Sequence, residues 1–351
     1  MPVYSPDHAK SKFVCANKIS LGEAEFQLQP VVIQDEVSRK KSEINGNLTA
    51  TKEIPVKIHP TAIVSDEAKI ASDVEVGPFC IVEAGVTIGA GSVLMPRVSI
   101  KKGVTLGENN TIHEGTVLGG KPQHICSHGE YGGVVIGNGN TFRENCTVHC
   151  AMYPEKNTII GNENFLMVNA HVAHDCVIGN HVIITNNAML GGHVHVGDRA
   201  NISGGVAVHQ YCQVGMFAMV GGNSHIVQDV PPFVNVDGGT SLVVGINLIG
   251  LRRAGVSNAE IKQIREAYHL LYEEKRTMQE NVEMLRARFP EGLASIYAEF
   301  LTACQRGFIQ ERRASGKALK LVRVDEPEKV VTPSVPAAAA ADEVAAIRAI
   351  G

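Results

Sequence analysis

Asn169-Ala-His-Val-Ala-His174-Asp-Cys176 opens the stretch that decides the fold, and it continues through Leu190-Gly-Gly-His193 to Val208-His-Gln210. With the register set on Ile160, every sixth residue onward is Ile, Leu or Val: Leu166, Val172, Ile178, Ile184, Leu190, Val196, Ile202, Val208, Val214, Val220 and Ile226. Neither a helical period of about 3.6 nor strand alternation produces a strict six. A solenoid whose turns each stack three equivalent short strands does, so about eighteen residues make one coil. Residues that far apart then face each other on neighbouring coils, at about 4.8 Å. His174, Gly192 and Gln210 form one column, and Asp175, His193 and Tyr211 form the one beside it.

Upstream the same period runs from Ile58 through Val64, Ile70, Val76, Val82, Ile88, Leu94, Ile100 and Leu106 to Ile112. Four places after these aliphatics the residues are small or β-branched, as at Ala62, Val74, Cys80, Val86 and Val98, with Asn110 the polar exception. A parallel β-solenoid satisfies this pattern, because each coil hydrogen-bonds the next and only the ends expose strand edges. The period lapses over residues 119–133 and 152–157, which marks two excursions from the coil. The first contains His124, Cys126, His128, Glu130 and Tyr131, and loops leaving a rigid scaffold commonly carry binding residues.

The coil is expected to end near Pro231-Pro232, and residues 243–253 lead into helices. Ile261, Ile264, Tyr268, Leu271 and Tyr272 have helical spacing behind Asn258-Ala-Glu. Further helices are expected near residues 278–288 and 293–304. The resulting plan is an extension over residues 1–55, strand-like between Phe26 and Val37, a β-helix over 56–240, a helical domain over 241–320 and a disordered tail over 321–351.

Composition agrees with narrow coils: tryptophan is absent, aromatics are 5% and glycine numbers 35 in 351 residues. The net charge of -4 argues against a nucleic-acid partner. Cys80, Cys146, Cys176 and Cys212 occupy inward positions of the repeat, so they read as buried thiols in a reducing compartment. No apolar run has transmembrane length and no secretion signal is evident, so the protein is expected to be cytoplasmic without an integral membrane segment.

Half of the 14 histidines lie between His171 and His225. His181, His195 and His225 read as surface or structural residues. His174 differs because its columnar neighbours suit acyl transfer. It is expected as an imidazole exposed in a cleft that takes a proton from an attacking hydroxyl. Asp175 could hold its tautomer, provided the pair lies at a coil corner, and the Gly192 N–H could receive an oxyanion. Zinc would need three convergent ligands, and His171/His174 and His193/His195 give no distinctive spacing. No metal is expected. A non-catalytic scaffold leaves the single band of polar residues unexplained.

Val76-Gly-Pro-Phe-Cys-Ile81 and Ile88-Gly-Ala-Gly-Ser-Val93 resemble the hexapeptide-repeat acyltransferases, whose fold is a left-handed parallel β-helix. Within that superfamily, Val168 to Cys176, Leu190-Gly-Gly-His193, Ala207-Val-His-Gln210, Val220-Gly-Gly222, Gln228-Asp-Val-Pro-Pro232 and Gly245-Ile-Asn-Leu-Ile-Gly-Leu-Arg252 resemble the UDP-N-acetylglucosamine 3-O-acyltransferases of lipid A synthesis. The resemblance implies His174 as general base, Asp175 orienting it and Gly192 as oxyanion donor. It further implies His149, His171, His193, His209, Gln210, Gly222, Asn247 and Arg253 as substrate-binding residues, in clefts between subunits of a homotrimer, and His124 joins them as a substrate-binding candidate that the family pattern does not supply. Gly222 would lie at the floor of an acyl groove. The donor would be a 3-hydroxyacyl thioester on acyl carrier protein, an acidic partner for Arg252, Arg253, Lys262, Arg265, Lys275 and Arg276, although a solvated helix face accounts for these charges nearly as well. The acceptor would be a UDP-amino sugar, with no cofactor.

The chain departs from that family where Pro122-Gln-His124-Ile-Cys126 replaces a segment usually carrying an acid and a lysine. Ile249 stands for a usual glutamate, Ala254 for an arginine and Thr240 for a histidine. N-acylation of an amino sugar, CoA-dependent acetylation and catalytically silent nucleotide-sugar binding are the alternatives.

Overall fold

A computed structural model describes residues 57–312, apart from 128, 274 and 275 and the side chain of 273. The expectations for the extension, the tail, His128 and Lys275 lie outside the described residues. The chain winds into a left-handed parallel β-helix. Its short strands stack into three sheets of 11, 9 and 8 strands, each strand pairing with the third one on in sequence until the last two strands of the largest sheet. The register is the one the period implies: His171 pairs with Met189, and Met189 with Ala207.

The aliphatic column fills the interior. Val172, Ile178, Ile184, Leu190 and Ile202 are all at most 1% exposed, so truncating one to Ala costs about 2–5 kcal/mol. Cys80, Cys146, Cys176 and Cys212 are free and buried as expected. Burial pushes the Cys176 thiol up to about 12, which keeps it an inert core group. Asn110 belongs to an internal ladder: its Oδ1 accepts from the N–H of Asn140 at 2.9 Å, and Asn140 Oδ1 accepts from the N–H of Asn164 at 2.9 Å. Side-chain amides one above another thus satisfy buried polar groups.

Corners are closed by single residues in the left-handed region, among them Asn169, Asp175, His193 and Tyr211, with φ of 60°, 60°, 60° and 66°. Both lapses of the period are excursions, and they pack on one another. Gly133 N–H donates to Lys156 O at 3.2 Å, and beside it Gly132 N–H donates to Ala151 O at 2.9 Å.

The coil outlasts Pro231-Pro232. Val234–Val236 still pairs in parallel with Met219–Val220, and Val243–Ile246 then pairs antiparallel with Val234–Val236. The prolines precede the strand, where their missing N–H groups cost no ladder bond. The antiparallel hairpin covers the last edge. A short helix missing from the sequence expectation, α1 (Leu248–Arg253), follows, then α2 (Asn258–Glu273), α3 (Met278–Arg288), and α4 (Ile296–Ala303) entered through a 3₁₀ turn. The helical region is tied to the coil by backbone bonds between Asp229 and Gly307 and between Asp229 and Ile309, both 2.9 Å.

Candidate active site

His174 and Asp175 sit at a corner between strands His171–Val172 and Val177–Ile178. At the same corner of the next two coils, His193 N–H donates to His174 O and Tyr211 N–H to Gly192 O, both at 3.0 Å. At Asp175 the second excursion occupies the coil below, and the Thr158 hydroxyl takes over, accepting from Asp175 N–H at 2.9 Å. The left-handed turn lets adjacent side chains meet, which a flat strand forbids. His174 Nδ1 lies 2.8 Å from Asp175 Oδ2. The same carboxylate oxygen accepts from Met152 N–H at 3.0 Å, so the excursion clamps the acid. An ionised carboxylate only accepts, so Nδ1 carries the proton and Nε2 presents a lone pair.

Gly192 lies directly over this imidazole. A Cβ added there would stand 2.5 Å from His174 Cε1 and 2.7 Å from Nε2, so only glycine leaves room for the ring. Among the described residues the Gly192 N–H finds no acceptor. One expectation is corrected here: His174 is buried, 5% exposed, rather than an exposed cleft imidazole. Asp175 packs against one side and the rings of His124 and His193 approach edge-on with centroids at 5.6 and 5.1 Å.

An open cavity of about 410 Å³ adjoins the pair, lined by Gln123, His124, His171, His174, His209 and Gln210 around an apolar floor that includes Met189 and Ala207. His171 Nδ1 is 2.8 Å from Thr147 Oγ1, and burial lowers its pKa from the ordinary value. Behind it His149 stands edge-on at 5.1 Å. Burial, with the imidazoles of His171 and His174 adding to it, pushes His149 down to about 4. His193 is also held low by burial, against the attraction of Asp175. His209 is exposed, its Nδ1 3.0 Å from Gln210 O. Ligand atoms of His174, Asp175 and His193 lie within 4.8 Å of one another, as do those of His113, Glu114 and Glu144. In the first trio Asp175 Oδ2 already takes two hydrogen bonds, the geometry of a base and the acid that orients it.

A model of the bacterial transferase hexapeptide repeat matches residues 85–120 and 157–192. One for UDP-N-acetylglucosamine O-acyltransferase domain 2 matches residues 229–309. A Paraburkholderia phymatum protein named acyl-[acyl-carrier-protein]–UDP-N-acetylglucosamine O-acyltransferase is 43% identical over 260 residues, 72% of this chain and 99% of that protein. The chain belongs to the UDP-N-acetylglucosamine O-acyltransferase family. A Halorhodospira halophila member is 41% identical over 72% of this chain and 99% of its own length. The solved LpxA structure from Acinetobacter baumannii is 38% identical with a TM-score of 0.69, covering 72% of this chain and 100% of that one.

The remaining residues singled out from the O-acyltransferase resemblance lie apart from the cavity. Gly222 is exposed on a corner where an added Cβ would meet only Gly204 O at 3.3 Å and Ser203 Cβ at 4.0 Å. Asn247 is occupied structurally: its Oδ1 caps α1 by accepting from Gly250 N–H, and its Nδ2 donates to Phe217 O, each at 2.9 Å. Arg253 is exposed at the end of α1, as are Lys262 and Arg265 on α2. Arg276 is half-buried and donates to Leu270 O at 2.9 Å. Gln123, Thr147, Met152 and Thr158 complete the site without having been singled out as site residues, and Tyr211 stacks on His193 from outside it. Met152 acts through its backbone and Thr158 through a seventeen-residue offset, so no side-chain motif announces either. Tyr211 was legible as the third member of the Asp175 column.

Proposed function

We propose that the protein transfers a 3-hydroxyacyl chain from acyl carrier protein to the 3-hydroxyl of UDP-N-acetylglucosamine, with His174 as general base. The observation that carries this reading is the contact of His174 Nδ1 with the clamped Asp175 carboxylate while Nε2 lies against Gly192 beside the cavity. His174 Nε2 takes the proton of the sugar hydroxyl as its oxygen bonds to the thioester carbonyl carbon. Asp175 stabilises the imidazolium, and the Gly192 N–H receives the charge on the carbonyl oxygen. Collapse breaks the carbon–sulfur bond, and the departing thiolate recovers the proton from His174. These steps need no metal or cofactor.

Ile63, Ile81 and Met189 are exposed along the outer face of one sheet, at 68%, 37% and 50%. They suit burial against copies of the chain in a homotrimer, whose clefts would hold the substrates. Arg252, Arg253, Lys262 and Arg265 offer a positive surface to an acidic carrier protein. No helix among the described residues is long and apolar enough to cross a membrane, consistent with a cytoplasmic enzyme.

The test is mass spectrometry of the purified protein with 3-hydroxyacyl carrier proteins and a panel of UDP-sugars. Ester formation on UDP-N-acetylglucosamine is expected, and His174→Ala should lower the rate by about 10²–10⁴-fold. Acylation solely at an amino group, or solely from acetyl-CoA, would overturn the assignment. Because His124 lines the cavity in a segment that departs from the family's usual acid and lysine, the panel must include other UDP-amino sugars.

A further inference from the structure

Tyr211 lies flat on His193. The two ring centroids are 4.5 Å apart and the planes are within 5° of parallel. The side chains of Asp175, His193 and Tyr211 rise as a ladder from the same left-handed corner of three successive coils. His193 is therefore covered on one face by the phenol, while its Nε2 points at Asp175 Oδ2 across 3.9 Å. That gap is too long for a hydrogen bond but short enough for an ion pair once the imidazole is protonated. Asp175 Oδ2 is the atom that orients His174, so a protonated His193 competes directly with the general base for it.

We propose that Tyr211 is a positioning residue: its ring pins the His193 imidazole short of contact with Asp175 and so reserves that carboxylate for His174. The inference rests on the general-base role of His174 given above. The charged and titratable groups around His193 are Asp175, which favours its protonation, and His174, Lys156 and His195, which oppose it. A phenol face attracts a cation, so the stack alone would favour the protonated ring. Burial outweighs the Asp175 attraction at His193 and opposes protonation, and the flat phenol holds the ring 3.9 Å from Asp175 Oδ2, where protonation gains no hydrogen bond. The hydroxyl plays no part in this, because the ring face makes the contact.

The test compares full-length Tyr211→Phe, Tyr211→Leu and Tyr211→Ala with wild type in pH profiles of kcat/KM and in titration of the His193 ring by NMR. The resonance is assigned with His193→Gln. Phe should reproduce wild type. Leu and Ala should raise the His193 titration midpoint and move the acid limb of kcat/KM up by about one pH unit, about tenfold in rate below the limb, with no change near pH 8. Leu keeps the corner filled if Ala does not fold. The added His193→Gln change should abolish the effect of Leu on the acid limb. A His193 titration and acid limb unchanged in Leu, or a Phe variant that behaves like Leu, would overturn the inference. So would a pH-independent loss through KM, which would make Tyr211 a substrate contact. The NMR arm stands even if wild type shows no transfer, a result that would count against the proposed reaction.

Discussion

Adding one methyl group at Gly192 isolates geometry from chemistry. Gly192→Ala keeps the backbone N–H proposed to receive the oxyanion, and the three atoms nearest its new methyl all belong to the His174 ring. Its Cβ would stand 2.5 Å from His174 Cε1, where ordinary contact begins at 3.4 Å. The imidazole must therefore retreat by about 0.9 Å, and backbone hydrogen bonds between coils leave the strand unable to share the movement. A displacement of this size stretches the 2.8 Å bond to Asp175 past useful length and carries Nε2 away from the attacking hydroxyl. A misplacement of about 1 Å costs on the order of 10²-fold in rate, and the overpacking costs about 1–3 kcal/mol of stability. Steady-state assays with carrier-protein thioester and UDP-sugar should show kcat falling about 100-fold with KM little changed, in a protein that still melts cooperatively. Turnover within about threefold of wild type would mean that His174 does not work from the position over Gly192, and the assignment of the base would fail with it.

Two further perturbations test other parts of the molecule. Gly222→Met should shift preference toward donors shorter by about two to four methylenes, because its nearest neighbour is Gly204 O at 3.3 Å and each excluded methylene costs about tenfold or more; an unchanged ranking of donors in competition assays would place the acyl groove elsewhere. Acid should destabilise the fold through His149. An unfolded chain protonates this ring near the ordinary 6.5 and the folded one near about 4, so between those values the unfolded state binds more protons and stability rises with pH. The contribution is complete above pH 6.5 and is lost as pH falls toward about 4. It amounts to about 1–2 kcal/mol between pH 7 and 5, and urea midpoints of wild type and His149→Gln at those two pH values should show a flatter dependence in the variant.

The six-residue period was sufficient to determine the solenoid, its register and its columns, because an inward aliphatic on every strand leaves one stacking that buries them all. His174 under Gly192, and Asp175 at its side, could be read from that register once the coil length was known. The helix pattern at Ile261, Ile264 and Tyr268 was legible for the same reason: periodicity is a local property. Three features depended on contacts remote in sequence. The burial of His174 comes from the first excursion, which brings the His124 ring beside it, and from the next coil. Asp175 is held by a backbone N–H from Met152 and a hydroxyl from Thr158, groups with no side-chain signature. Asn247 has the right identity to bind a substrate, yet its amide caps α1 and bonds Phe217 O. Which polar atoms remain free for chemistry depends on which of them the folded chain has already satisfied. Only the assembled coil settles that balance.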